Sequence, residues 1–169
     1  MSKQLILFRH GKSDWEGDSV QDHDRPLAKR GIKAAQAMGQ LLSRAEQVPD
    51  LVRSSTALRA RSTAELAHTA GGWPCPLEFM ADLYETTPQG VISMVKGVPD
   101  RMGGRPLDRL MLVGHEPTWS MLTALLMGGG RVEVPTAALV GIDLEIETWA
   151  AIGPGKGCLR WLFLPRLLT

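Results

Sequence analysis

The chain has only two cysteines in 169 residues, Cys75 and Cys158, and neither belongs to a CxxC pair. That scarcity excludes a multi-bridge secreted scaffold and makes a reducing compartment the default. No charge of one sign dominates. Nineteen Lys and Arg against 18 Asp and Glu leave a net charge of +1, without the basic field that drives nucleic-acid binding. Long apolar runs are missing too. Leu5-Ile6-Leu7-Phe8 is far too short for a signal-peptide core, and the stretch from Cys158 to Leu168 is broken by Arg160, Pro165 and Arg166, so it cannot supply the roughly 20 apolar residues of a membrane span. With no HExxH and no carboxylate cluster, no metal or other cofactor is expected. What is present is ordinary for a soluble domain, 44% hydrophobic and 22% charged, and long enough for one domain, 1–169, to bury a core. A cytoplasmic protein with neither a membrane nor a nucleic-acid partner is the expectation.

Strand and helix patterns alternate along the chain. Leu5-Ile6-Leu7-Phe8 and Leu110 to Val113 are unbroken apolar runs, the pattern of strands buried on both faces. A shorter strand is expected at Leu51-Val52, a weaker one at Leu77 to Met80, and two more at Ala137 to Leu144 and Gly157 to Leu164. Between them lie helical patterns. The first begins near Asp24 and Pro26 and places Ile32, Ala35, Met38, Leu41 and Leu42 on one face. The second runs from about Ala57 to Ala70 and stops at Gly71-Gly72; the third covers Pro88 to Val98, with Val91, Met94 and Val95 inward. The fourth opens with Pro117 at its first position, carries Trp119, Leu122, Leu125 and Leu126 on one face, and closes at Gly128-Gly129-Gly130. This alternation predicts an α/β fold, a three-layer α/β/α domain with a mostly parallel central sheet, in which a site forms at the carboxyl ends of the strands.

Three expected strand ends carry residues of one kind: Arg9-His10 after the first, Ser55 to Arg59 after the second and His115 after the fourth. If they converge, two imidazoles and two guanidiniums make a dense cationic pocket, and the ligand matching fixed planar forks of donors is a phosphoryl group. Arg25 reads equally as an ion-pair partner near the helix start or as a guanidinium at the pocket rim. Ser13 either lines the phosphate loop or is a plain turn hydroxyl. Arg61 falls off the Arg59 face and is expected in solvent; His23 and His68 are expected at the surface or in packing.

On these residues the chain resembles a known family. Arg9-His10-Gly11-Lys12-Ser13 is similar to the RHG signature of the histidine phosphatase superfamily. The block Ser55-Thr56-Ala57-Leu58-Arg59-Ala60-Arg61-Ser62-Thr63 resembles its second motif, and Leu112-Val113-Gly114-His115-Glu116-Pro117 its third. Within the superfamily, Asp22-His23-Asp24-Arg25-Pro26-Leu27 with Arg30-Gly31, Leu83-Tyr84-Glu85 and Phe163-Leu164-Pro165-Arg166 are similar to the short SixA-type phosphohistidine phosphatases. The likeness spans nearly the whole chain, which also lacks the long insertion of the sugar-phosphate mutases.

The resemblance implies a phosphoglycerate mutase-like fold and a metal-independent hydrolase. His10 is the implied nucleophile, with Arg9, Arg59 and His115 around the phosphoryl oxygens. In the mutase and acid-phosphatase branches a carboxylate protonates the leaving oxygen, and Glu85 is the positional match here. Such an acid matters least when the leaving group is an imidazole already protonated. The first helix starts after Ala28, where the family usually has Ser or Thr, at a cost of about 1 kcal/mol in capping. Three functions stay open: removal of phosphate from phosphohistidine in a signalling protein, hydrolysis of a small phosphorylated molecule, and binding of a phospho-ligand without turnover. The oligomeric state is not legible.

Overall fold

The apolar runs that looked too continuous for half-exposed strands do lie at the centre of a sheet. The computed structural model describes residues 2–16 and 20–168. Its elements in chain order are β1 (Lys3–Arg9), α1 (Lys29–Arg44), β2 (Leu51–Ser55), α2 (Leu58–Gly71), β3 (Leu77–Met80), α3 (Pro88–Lys96), β4 (Arg101–Met102), β5 (Arg105–Pro106), β6 (Arg109–Gly114), α4 (Thr118–Met127), β7 (Leu139–Leu144) and β8 (Gly157–Phe163). Among the described residues the main sheet is six-stranded, in the order β3-β2-β6-β1-β7-β8, and β4 and β5 form a separate small hairpin. β1, β2, β3 and β6 pair in parallel; β7 is antiparallel to both β1 and β8. The sheet is therefore mixed and mostly parallel.

Alternation explains why the central strands carry no polar face. Leu5 and Leu7 of β1 enter one core with Leu110 and Leu112 of β6, under Val91, Ile92 and Val95 of α3 and Trp119, Leu122 and Leu126 of α4. Ile6 and Phe8 point the other way with Met111 and Val113, under Met38 and Leu42 of α1 and Ala60, Ala64 and Ala67 of α2. Helices cover both faces, as a parallel sheet requires.

The helix starts and faces differ from the sequence reading in particular places. Asp24 lies in a short 3-10 turn, Asp22–Asp24, and α1 begins only at Lys29. Its cap, Ala28, makes no side-chain capping bond. Ile32 is exposed and Leu41 is only partly buried, because the face packed inward is built on small residues: Gly31, Ala35 and Gly39 are buried with Met38 and Leu42. A Cβ on Gly39 would come within 2.2 Å of the Ala67 carbonyl oxygen in α2, so this glycine is what allows the two helices to approach. A hydrophobicity pattern is blind to glycine contacts of this kind. Pro117 precedes α4 as its cap instead of occupying the first turn, and Met94 and Leu125 are only partly buried.

Candidate active site

β1 and β6 are neighbours in register, with Arg9 opposite Gly114, so the residues following them, His10 and His115, emerge side by side. Their ring centroids are 5.2 Å apart. The backbone around His10 is held on three sides. His10 N donates to Gly114 O at 3.1 Å, Ala137 N donates to His10 O at 3.0 Å, and Gly11 N donates to Thr63 Oγ1 at 2.9 Å. Thr63 in turn donates to the Arg59 carbonyl at 2.7 Å, which ties the loop after β1 to the first turn of α2. From below, Trp119 Nε1 donates to Phe8 O at 3.0 Å. Gly11 has a packing role in this arrangement: a Cβ there would meet the Gly31 carbonyl oxygen at 2.8 Å, and a Cβ on Gly31 would meet Lys12 O at 2.3 Å.

The histidine rings have defined roles. His10 Nδ1 lies 2.7 Å from Gly11 O, an atom that can only accept, so Nδ1 carries the proton and Nε2 the lone pair. Arg59 Nε donates to that Nε2 at 3.3 Å. Burial, with the Arg59, Arg9 and Arg25 guanidiniums nearby, pushes His10 down to about 4 from its ordinary 6.5, against the pull of the Gly11 carbonyl. His115 is pushed to about 3, first by burial, then by His10 and Arg59, with Asp22 opposing. His115 Nε2 is 2.7 Å from Ser55 Oγ, which accepts from Ala57 N at 3.2 Å. The Ser55 hydroxyl hydrogen can therefore go to Nε2, leaving a proton on His115 Nδ1 as a donor with no protein partner.

Around the rings lies a crevice of about 300 Å³ lined by Arg9, His10, Lys12, Ser13, Trp15, Arg25, Arg59, His115, Glu116 and Thr136. It adjoins a smaller one, about 170 Å³, that shares Arg59, His115 and Glu116 and is bordered by Asp22, Tyr84, Glu85 and Thr86. Among the described residues four buried side-chain polar atoms lack a hydrogen-bond partner, Arg9 Nε, Arg25 Nε, His115 Nδ1 and Gln47 Oε1; all but the last belong to residues lining the larger crevice. Buried donors left unpaired are costly, and a tetrahedral oxyanion is the ligand that supplies several acceptors at one point. A larger cavity of about 430 Å³ lies at the amino ends of β1 and β6. There Asp50, Asp108 and Asp143 are engaged by backbone amides, Lys3, Gln4 and Arg160, which makes their role structural.

All six residues expected to bind the ligand, Arg9, His10, Ser13, Arg25, Arg59 and His115, thus line one crevice. Arg25 does both things considered for it: it borders the crevice and pairs with Asp22 at 2.8 Å. Ser13 is buried, with its backbone bridged to Leu27. Glu85 borders the smaller crevice but is exposed, and its backbone takes a positive φ of 55°. Arg61 is exposed and pairs with Glu65; His68 bonds Cys75 O and His23 bonds Thr56, both as packing.

Two residues were quoted within the motifs but given no role from the sequence. Asp22 accepts from Arg59 Nη2 at 3.1 Å and from Tyr84 Oη at 2.6 Å, while its carbonyl takes Arg59 Nη1 at 2.7 Å. These contacts, the Tyr84 hydroxyl first, hold its carboxyl down to about 2 despite some desolvation. Glu116 borders both crevices and is oriented by Ser120, through its backbone N at 2.7 Å and its hydroxyl. The signal for Glu116 was its place next to His115; for Asp22 it was the nearby Arg25, while its other partners, Arg59 and Tyr84, lie 37 and 62 positions away.

The titrations set a pH dependence. Below 6.5 the unfolded chain protonates His10 and His115, but the folded chain does so only near 4 and 3, so stability falls as pH drops through that window. Asp22 acts in the same direction between 3.8 and about 2. The urea midpoint is expected to decrease steadily from pH 7 to pH 4.5, and His115→Asn should flatten that decrease. An equally steep decrease in the variant would contradict the shift at His115.

The model of the histidine phosphatase superfamily (branch 1) matches residues 5–91. An uncharacterized protein of Mycobacterium tuberculosis is 36% identical over 94% of this chain and 100% of its own length. The structure of the protein histidine phosphatase SixA complexed with tungstate superposes with a TM-score of 0.81 at 22% identity, covering 98% of this chain and 99% of that one. A putative phosphohistidine phosphatase SixA from Nakamurella multipartitia gives 0.79 at 25% identity, covering 98% and 97%. These superpositions show a shared fold over nearly the full length. Among the described residues no helix is long and apolar enough to cross a membrane.

Proposed function

Because the chain belongs to the histidine phosphatase superfamily, branch 1, we propose that it is a metal-independent phosphatase that removes phosphate from phosphohistidine in a signalling protein. The observation that carries this reading is the neutral His10 Nε2, its tautomer set by Gly11 O, in a crevice that also gathers the Arg9, Arg25 and Arg59 guanidiniums and His115. In the first step Nε2 attacks phosphorus in line. The new P–N bond forms as the bond to the substrate's imidazole breaks, and that imidazole leaves neutral if its ring is protonated on departure. In the second step water attacks phosphorus and the P–Nε2 bond breaks, giving inorganic phosphate and free His10. Arg9, Arg59 and His115 Nδ1 hold the equatorial oxygens during both steps, a fixed electrostatic task. The free thiols of Cys75 and Cys158 support a cytoplasmic location.

The choice of phosphohistidine over an alkyl phosphate rests on the leaving group and on the likeness to SixA structures. Glu85 is exposed and borders the smaller crevice, not the one around His10. An imidazole needs the help of a general acid least. Turnover is expected on a phosphohistidine protein in excess chelator, with slower hydrolysis of an aryl phosphate and a sugar phosphate. Glu85→Gln should slow the sugar phosphate more than the phosphohistidine. A preference for the sugar phosphate would replace this reading with a small-molecule phosphomonoesterase, and tight anion binding without turnover would leave a binding module.

A further inference from the structure

Trp15 is 68% exposed, an unusual position for the largest apolar side chain, and it is not stray surface. It lines the same crevice as His10. The Arg25 guanidinium sits over its ring, with the central carbon 3.6 Å from the ring centroid. Arg25 is itself fixed by Asp22 at 2.8 Å, and Asp22 also holds Arg59, so the indole is linked by short contacts to the arginine beside the nucleophile. Lys12 and Glu116 at the same crevice are polar or charged, which leaves Trp15 as its one large apolar surface among the described lining residues. On the neighbouring side Tyr84 stands edge-on to His115, with centroids 5.6 Å apart, but its hydroxyl is committed to Asp22.

We propose that Trp15, held in place by Arg25, is the stacking platform for a planar aromatic leaving group and so selects substrates whose phosphate sits on an aromatic ring. The inference rests on the phosphatase reading of His10 and deepens it. In-line attack by Nε2 sends the departing atom to the side of phosphorus opposite His10, and since His10 is buried while Trp15 of the same crevice is 68% exposed, a leaving group that extends outward can meet a planar surface already ordered by a cation. An aliphatic leaving group gains little there. Stacking is indifferent to which aromatic ring is offered, so the platform itself does not distinguish an imidazole from a phenol.

The test uses two matched pairs on the full chain: N-phosphoimidazole against phosphoramidate, and phenyl phosphate against ethyl phosphate. Within each pair the broken bond is P–N or P–O in both members, and only one member carries a ring. For each substrate the variant is compared with wild type, so intrinsic reactivity cancels. Trp15→Ala is expected to lower the ratio of kcat/KM for the ring-bearing over the ring-free member about tenfold in both pairs, and Trp15→Phe to keep most of it. Retained hydrolysis of the ring-free members shows that the variant is folded. A ratio that moves less than about threefold in both pairs, or falls equally in Trp15→Phe and Trp15→Ala, overturns the platform. If the ratio falls for phenyl phosphate while wild type ignores N-phosphoimidazole, the platform stands and the phosphohistidine reading fails.

Discussion

His10→Asn should reduce turnover by at least about ten-thousandfold, because it removes the group that forms the covalent intermediate. Asparagine is chosen because its amide can still donate to Gly11 O, where His10 Nδ1 now sits at 2.7 Å, and stays neutral. The side chain is almost fully buried, so a change of shape or charge would confuse lost chemistry with lost packing. The His115 ring lies 5.2 Å away with its Nε2 engaged by Ser55 Oγ at 2.7 Å, which leaves His10 Nε2 as the nitrogen with an assigned lone pair. Single-turnover kinetics on a phosphohistidine protein, with a urea unfolding curve at pH 7 as control, check the prediction. A rate within about tenfold of wild type in a folded variant would show that His10 is not the nucleophile.

Arg59→Ala is expected to cost at least about a hundredfold in turnover, or about 3 kcal/mol of transition-state stabilisation. Arg59 is buried in the first turn of α2, with Nε on His10 Nε2 and both terminal nitrogens on Asp22. Its charge is thus already ordered before substrate arrives, and little reorganisation is left to the reaction itself. Arg59→Lys keeps the charge but loses the planar fork, so it should rescue poorly. The comparison of kcat in the two variants is the informative measurement. If Arg59→Lys turns over near the wild-type rate, Arg59 does not hold the phosphoryl oxygens.

The sequence made the parts of the site legible that depend on strand ends and obscured those that depend on loops meeting across space. Leu5-Ile6-Leu7-Phe8 and Leu110 to Val113 are apolar at every position because each strand is covered on both faces, and that same pattern located Arg9-His10 and Gly114-His115 at strand ends. Arg59 followed from the same logic one strand over. Ile32 was misplaced because the contact face of α1 uses Gly31 and Gly39, and a glycine that admits a neighbouring backbone carries no hydrophobic signal. The small hairpin of β4 and β5 also escaped notice, since two-residue strands set up no periodicity. The role of Asp22 was hidden for another reason. A carboxylate in a polar stretch reads as solvated, and only the fold brings Arg59 and Tyr84 to it beside the nearby Arg25. Trp15 was given no role from the sequence; its place on Arg25 is a property of the folded loop.

The central claim is that phosphate passes through His10. The most direct measurement is to mix the protein with a phosphohistidine substrate labelled on phosphorus, quench in base within a turnover and map the label by mass spectrometry. Phosphohistidine survives base. The account predicts label on His10 at Nε2, the nitrogen that keeps a lone pair because Nδ1 carries the proton toward Gly11 O. Label on a serine, on Nδ1 or on His115, or an active enzyme that carries no label at any time, would contradict it.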